Sequence, residues 1–347
     1  MGYVSEPSDD DGNYDIFVLN MGSGNYGFCV DEGDGVSYLK IDNDYNSGYS
    51  SNFGQTPIKI MQISIAHEYF HAIQYGYQHN YGSGSGSDAY FYEMSATWIE
   101  DVIVPDGNDY LENKWVDQLL DNPEGEFDNR WPVGCNDNCD GRGYELALFG
   151  HYLSSFIDPG GYLNEKQSTI INKIWTEYSD SYISSNDYDK PLVVIDRILQ
   201  SEYQISFIEA WTDFISRNLY NGIDESFYYY SDQSLIDPIT TSIQVLSDSP
   251  TFSIELDDKS AAIQSYQLGE LNALLNINHS PDEYLGRISI VSVNDYNDIF
   301  WGIDTSGLEL VSNSEIHFVY GSDNQGESVT VHLITSYYGC TDPEACN

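Results

Sequence analysis

Short apolar-rich runs open the chain at residues 14–20, 26–30 and 36–41, and Gly, Asn and Asp separate them. That punctuation predicts three strands of a small sheet. The pattern changes at Thr56, where a capping hydroxyl precedes Pro57 and an apolar run continues to Tyr77. A hydroxyl cap followed by proline at the first helical position marks a helix start, and a run apolar on nearly every side predicts a buried helix. A Gly/Ser loop at 81–87 leads to Asp88, the expected cap of a second helix that Pro105 ends. Helical spacing returns over 144–157, 165–178, 190–200 and 204–220. In the last of these Ile205, Ile208, Trp211, Ile215 and Leu219 step by three or four and make one stripe.

After about residue 240 the period falls to two. Phe252, Ile254 and Leu256 alternate with polar residues, as do Ile288 and Ile290, Leu308 and Leu310, Ile316, Phe318 and Tyr320, and Val329, Val331 and Leu333. Short strands at that spacing predict an antiparallel β-sandwich. The expected organisation is α+β: a helical and mixed domain over 1–235, a β-sandwich over 240–338, and a Cys-bounded tail over 339–347. The break falls in the polar stretch 231–242, and no long internal repeat is visible.

Composition narrows the classes of function. Twelve Lys and Arg against 56 Asp and Glu give a net charge of −44. A field of that sign repels phosphate backbones and anionic lipids, so neither nucleic acid nor a membrane surface is an expected partner. With 14% aromatic residues and 30 Tyr the chain nonetheless packs a core. The charge suits high ionic strength and offers carboxylates to calcium. No apolar run reaches the roughly 18 residues of a membrane span, and the first ten residues lack the basic and apolar regions of a signal peptide. Five cysteines, Cys135 with Cys139, Cys340 with Cys346, and Cys29 alone, fit two small disulfide loops in an oxidising compartment. The reading is a secreted monomer, with the cysteine pairing left open by the spacing.

The chemistry concentrates in the first predicted helix, where residues 67–71 spell His-Glu-x-x-His. At 3.6 residues per turn His67 and His71 project from one face, so two imidazoles can share one metal. Glu68 lies about 100° round the helix, within reach of a water held there but outside the ligand set. The uncharged flanks Ala66, Tyr69, Phe70, Ala72 and Ile73 suit a buried metal helix; the alternative is a pair of satisfied core histidines. A catalytic zinc wants a third protein ligand and one open position. Glu93, on the next helix with small Ala96 beyond it, is the candidate, and His79 in the following loop is its competitor. Glu100 stands two turns beyond Glu93 as an acceptor for a ligand histidine, or as a solvated helix end beside Asp101.

His-Glu-x-x-His followed by Glu resembles the thermolysin-like, or gluzincin, arrangement. The metzincin alternative needs Gly and His where this chain has Gln74 and Tyr77. Taken with Glu93–Asp101 and the segment Tyr144–Leu153, residues 14–220 look like the secreted zinc metallopeptidases of myxobacterial and related bacteria, in which β domains follow a zincin-like catalytic module. The resemblance implies hydrolysis of peptide bonds in a protein or peptide substrate, zinc held by His67, His71 and Glu93, and Glu68 as general base. Thr97 stands where thermolysin has an aspartate behind its histidine, so ligand orientation here needs another device. The ending 338–347 is similar to Cys-bounded linker repeats, which implies a Cys340–Cys346 pair and a longer parent protein.

Peptide hydrolysis also needs a donor for the oxyanion. Tyr144 and His151, seven apart on the predicted 144–157 helix, are the candidates, with core packing as the alternative for each. Segments 42–48 and 136–141 carry oxygen ligands at alternate positions and fit calcium or solvated turns equally. Two other functions stay open: a surface or adhesion module with a structural or degenerate metal site, and an aminopeptidase, which lacks here the upstream Gly-x-Met-x-Asn element.

Overall fold

The computed structural model describes residues 1–6, 12–22, 25–33, 36–45, 56–77, 88–112, 115–129, 143–184, 190–246, 251–256, 259–269, 272–280, 287–293, 299–302, 308–310, 312–322 and 327–338. His79, the 81–87 loop, the 136–141 segment, Cys135, Cys139, Cys340, Cys346 and the 339–347 tail lie outside the described residues. The chain is α+β and divides into two compact units. The first comprises Met1–Leu119, Asp128–Ile205 and Tyr229–Ile236; the second comprises Leu120–Phe127, Ser206–Tyr228 and Asp237–Asn347. No helix among the described residues is long and apolar enough to cross a membrane.

In the first unit the three early strands form as expected: β1 (Ile16–Leu19), β2 (Gly27–Gly33) and β3 (Val36–Asp42). Their order is β1-β3-β2, with β1 parallel and β2 antiparallel to the central β3. Asp42, at the start of the candidate calcium segment, instead accepts the backbone N–H groups of Met21 and Tyr45, each at 2.9 Å. Those bonds hold its carboxyl below the ordinary aspartate range. Helix α1 (Pro57–Tyr77) packs on β2 and β3 and against α2 (Ala89–Ile103). Thr56 Oγ1 accepts the Lys59 N–H at 3.3 Å, so the cap forms. Asp88 does not cap α2 with its side chain; its carboxylate accepts the Tyr178 hydroxyl at 2.9 Å and Lys190 Nζ at 3.1 Å. Nor is α1 buried all round. Ile60, Ile63, Phe70 and Ala72 are core, yet Ile58 is 66% exposed and Ile65, Tyr69 and Ile73 are half-buried.

Two short helices that carry no periodic signal follow, α3 (Asp109–Glu112) and α4 (Trp115–Asp121). The 144–157 pattern is one helical run of changing pitch: a 3₁₀ turn at Tyr144–Leu146, α5 (Ala147–His151) and a π segment at Tyr152–Ile157. The 165–178 pattern becomes a 3₁₀ turn at Glu165–Gln167 and then α6 (Ile170–Ser184). The helix begins late because Asp158 takes up the N–H groups of Thr169 and Ile170, at 2.7 and 3.2 Å, that open it. Next comes α7 (Pro191–Ile198), continued by a π segment to Tyr203. Trp98 of α2 and Trp175 of α6 are fully buried, with Phe91 stacked on Trp175 at 4.6 Å.

Helix α8 (Phe207–Asn218) belongs to the second unit, which corrects the expected break at 235–240. The stripe Ile208, Trp211, Ile215 and Leu219 is buried as the spacing requires. A stripe announces that a face is covered, not what covers it. Ser206 and Glu209 close a capping box at its start. The strands are β4 (Ile243–Val245), β5 (Thr251–Leu256), β6 (Ser260–Gln267), β7 (Asn272–Ser280), β8 (Arg287–Val293), β9 (Ile299–Gly302), β10 (Leu308–Leu310), β11 (Glu315–Ser322) and β12 (Glu327–Tyr338). They make a four-stranded antiparallel sheet, β10-β7-β12-β5, and a five-stranded sheet, β4-β6-β11-β8-β9. The second is not wholly antiparallel, because β4 pairs with β6 in parallel. Each alternating segment of the sequence lies on one of these strands. In β11 both faces are buried, Val319 as fully as Phe318, and α8 packs on that strand.

Candidate metal centre

The centre is assembled between α1 and α2. His67 and His71, one turn apart, bring their Nε2 atoms to 3.0 Å from each other. Glu93 Oε2 stands 3.3 Å from His67 Nε2 and 3.6 Å from His71 Nε2. One ligand atom from each of the three residues lies within 4.8 Å of the others. The sequence-predicted trio therefore converges.

Partners on the far side of each ring decide which nitrogen carries the proton. His67 Nδ1 donates to Glu100, and His71 Nδ1 donates to Gln74 Oε1 at 2.8 Å. The Gln74 amide is itself oriented, because its Nε2 donates to the Tyr92 carbonyl at 3.0 Å and to Ser95 Oγ at 3.1 Å. Both rings are thus set with Nδ1–H outward and the Nε2 lone pair inward, the tautomer a metal ligand requires. Glu93 Oε2 is buried and accepts no hydrogen bond. With both Nε2 lone pairs inward these three acceptor atoms repel one another unless positive charge sits among them, either a metal ion or a proton on one imidazole. The donor set, two imidazoles and a carboxylate, suits zinc.

Charge preferences follow the same geometry. Burial would raise Glu93, but His71 and then His67 overcome it and hold the carboxyl at about 2. Burial lowers both histidines, and Glu100 beside His67 and Glu93 beside His71 more than reverse it, raising each. Glu100 is raised, chiefly by burial. It supplies the orientation that Thr97 cannot, and it was visible in the sequence as the residue two turns beyond Glu93.

Glu68 reaches the edge strand β2. Its Oε2 accepts the Cys29 N–H of β2 at 2.7 Å. Gly27, also on β2, makes that approach feasible, since a Cβ there would stand 2.8 Å from Glu68 Cγ. Burial pushes the Cys29 thiol up to about 12, so it is no nucleophile at neutral pH.

The two oxyanion candidates part company. Tyr144 lies on the centre, its ring parallel to His67 at 5.7 Å and also stacked with Trp115 at 5.5 Å. Burial first, and then Glu93, raise its hydroxyl well above the ordinary range, so it stays protonated as a donor. Gly143 places it: φ is +100° and a Cβ would stand 1.9 Å from the Tyr90 carbonyl oxygen. His151, by contrast, is fully buried and its polar neighbours are other residues. Nδ1 donates to Glu165 at 3.0 and 3.1 Å, Nε2 lies 3.9 Å from Asp101 Oδ2, and the ring stacks on Tyr230 at 4.7 Å. Tyr144 and His151, expected on one helical face, meet different partners: His67 and Trp115 for the first, Glu165, Asp101 and Tyr230 for the second. Trp115 and Gln74 are the contributors that the sequence did not mark.

Asp101 has a measurable consequence. Burial pushes its carboxyl up to about 7, against the pull of His151. The folded state therefore binds more protons than the unfolded chain from about pH 4 to 7, and stability falls as pH rises through that window. His151, raised by Glu165 against the effect of burial, adds a loss of the same sign at higher pH. Asp101→Asn should match wild type at pH 4 and exceed it at pH 8, by about 4 kcal/mol in urea denaturation. A variant less stable than wild type at pH 8 would show that ionised Asp101 is favourable here.

No family model matches the chain, and no curated protein matches it. Among solved structures it is similar to PliG of Salmonella Typhimurium, a periplasmic lysozyme inhibitor of g-type lysozyme. Identity is 9% and the TM-score 0.22, over 28% of this chain and 100% of that one. A likeness so slight carries no argument about fold or activity.

Proposed function

We propose that the chain is a zinc-dependent endopeptidase built on a zincin-like domain, with the second unit as a β-sandwich accessory. The observation that carries this reading is the buried Glu93 Oε2 without a hydrogen bond, facing two inward imidazole nitrogens. His67, His71 and Glu93 would hold the metal. When bound, zinc supplies Lewis acidity toward a peptide carbonyl and toward water. Glu68 is the general base: its carboxylate takes the proton of the attacking water and delivers it to the leaving amine, while the Cys29 N–H fixes its orientation. Strand β2 pairs with β3 alone among the described residues, leaving backbone groups for an extended peptide. Tyr144 donates to the developing oxyanion, with Trp115 and His67 confining its ring. Tyr144→Phe should retain zinc and lose about 10²–10³ in kcat; an unchanged kcat would remove it from this role. His151, enclosed by Glu165, Asp101 and Tyr230, supports the fold behind α2.

Secretion, disulfides at Cys135, Cys139, Cys340 and Cys346, and structural calcium belong to the same proposal. They rest on the acidic composition and the cysteine spacing. Metal analysis with casein hydrolysis, with and without a chelator, tests the function. About one zinc per chain and chelator-sensitive turnover are expected. Bound zinc without turnover would favour a surface module with a structural site.

A further inference from the structure

Strand β2 gives one edge to β3 and, among the described residues, pairs with no strand on the other. The Tyr26 carbonyl accepts the Asp42 N–H of β3 at 3.0 Å, whereas the Cys29 N–H goes to Glu68. Peptide groups alternate along a strand, so those of Gly27, Cys29 and Asp31 turn to the free edge. Their side chains share one face of the sheet. Cys29 is in register with Leu39 and Asp31 with Ser37, both buried, and Gly27 underlies Glu68 of α1, so this is the face that α1 covers. Asp31 therefore stands two residues, roughly 7 Å, along the strand from the point where Glu68 is held. Glu32 is passed over in the register with β3, which leaves Asp31 as the last carboxylate of the regular edge. The Asp31 side chain is exposed, and its Oδ1 accepts the Gly33 N–H at 2.7 Å, which orients it. No Lys, Arg or His pairs with it among the described residues. Its charge nonetheless belongs to the surroundings of the centre. The hydroxyl of Tyr75, one turn beyond His71, is raised by burial first and then by Cys29, Asp31, Glu68 and Glu93.

We propose that Asp31 is a specificity residue and that the extended peptide taken by the β2 edge is cationic, with Lys or Arg opposite Asp31. The proposal rests on the zinc-endopeptidase reading and names its substrate class. A chain paired with this edge sets one side chain directly across from Asp31, with Cβ atoms about 4.5–5.5 Å apart. A carboxylate in that place meets like charge, and an apolar side chain leaves Asp31 without a partner. Lys or Arg makes an opposite-charge pair. The net charge of −44 draws cationic peptides toward the whole chain but does not choose among their positions. Asp31, at a fixed distance from Glu68, does.

The test measures binding and cleavage separately. Binding is read by fluorescence anisotropy on the full chain carrying Glu68→Gln, with a labelled peptide of Ser, Thr and Val holding one central Lys, and with its twin holding norleucine. Salt of about 0.5 M shortens the Debye length below about 8 Å and screens the distant charge of the chain. The Lys peptide should bind about two- to fivefold tighter, the scale of one cross-strand charge pair. Asp31→Asn, whose amide oxygen still accepts the Gly33 N–H, should erase that difference with Tm unchanged. Asp180→Asn on α6, an equal change in net charge, should preserve it. Cleavage by the chain with Glu68 in place is mapped by mass spectrometry, and the cuts should fall at one distance from the Lys and scatter in Asp31→Asn. Failure of both peptides to bind, equal binding of the two, or an equal effect of Asp31→Asn and Asp180→Asn would overturn the proposal. Cleavage without the Lys preference would overturn it too and leave the peptidase reading standing. Binding that keeps the Asp31-dependent preference, with no cleavage of either peptide, would uphold Asp31 as the selector and sink the peptidase reading.

Discussion

Glu68→Gln should keep its zinc and lose about 10²–10⁴ in kcat, the usual contribution of a positioned general base. The substitution is nearly isosteric. Its amide oxygen can still accept the Cys29 N–H, now bonded to Glu68 at 2.7 Å, and the side chain still fits against Gly27. His67, His71 and Glu93 are untouched, and so are Glu100 and Gln74, which set the two imidazole tautomers. Only proton acceptance is lost, because a neutral amide oxygen has no useful basicity near pH 7. Zinc per chain, Tm and kcat measured on one preparation decide the matter. Turnover near wild type would mean another group takes the proton, and loss of zinc would mean that Glu68 helps to hold the metal.

The parts of this centre that could be read from the sequence are those that depend on helix periodicity alone. His71 follows His67 by four positions and Glu100 follows Glu93 by seven, and each spacing survives folding because α1 and α2 are regular across it. Tyr144 and His151 are also seven apart, yet the pitch changes between them at Tyr144–Leu146 and the tertiary packing gives them different partners, which no spacing reveals. Trp115 sits on a seven-residue helix, too short to show a period, and matters through tertiary stacking on Tyr144. Gln74 could be noticed only as the residue that breaks a rival motif, although its position three after His71 puts it on that ring's side. The second unit shows the same divide. Alternation located β5, β8, β10, β11 and β12, whereas β6, buried at Ser260, Ala261, Ala262, Ser265 and Tyr266, has no alternation to read. The allegiance of α8 was hidden for a related reason, since its stripe would look alike against either unit.

Glu93→Ala should lower zinc affinity more than any change outside the ligand set. Loss of an outer hydrogen-bond partner costs about 10–100-fold in metal affinity, and Glu100→Gln, which keeps an acceptor oxygen for His67 Nδ1, should fall within or below that range. Removing Glu93 takes away one of three donor atoms and the charge that offsets zinc, leaving two neutral imidazoles whose Nε2 atoms are 3.0 Å apart. The deficit should therefore exceed the outer range, with the fold retained because α2 is anchored elsewhere by Trp98 and Phe91. Competition against a fluorescent chelator reads the three affinities directly, and His79→Ala supplies the control for the rival ligand. The expected order of loss is Glu93→Ala, then Glu100→Gln, then His79→Ala with almost none. Should His79→Ala lose zinc while Glu93→Ala stays within tenfold of wild type, the third ligand is His79, and the buried carboxylate of Glu93 orients the histidines instead.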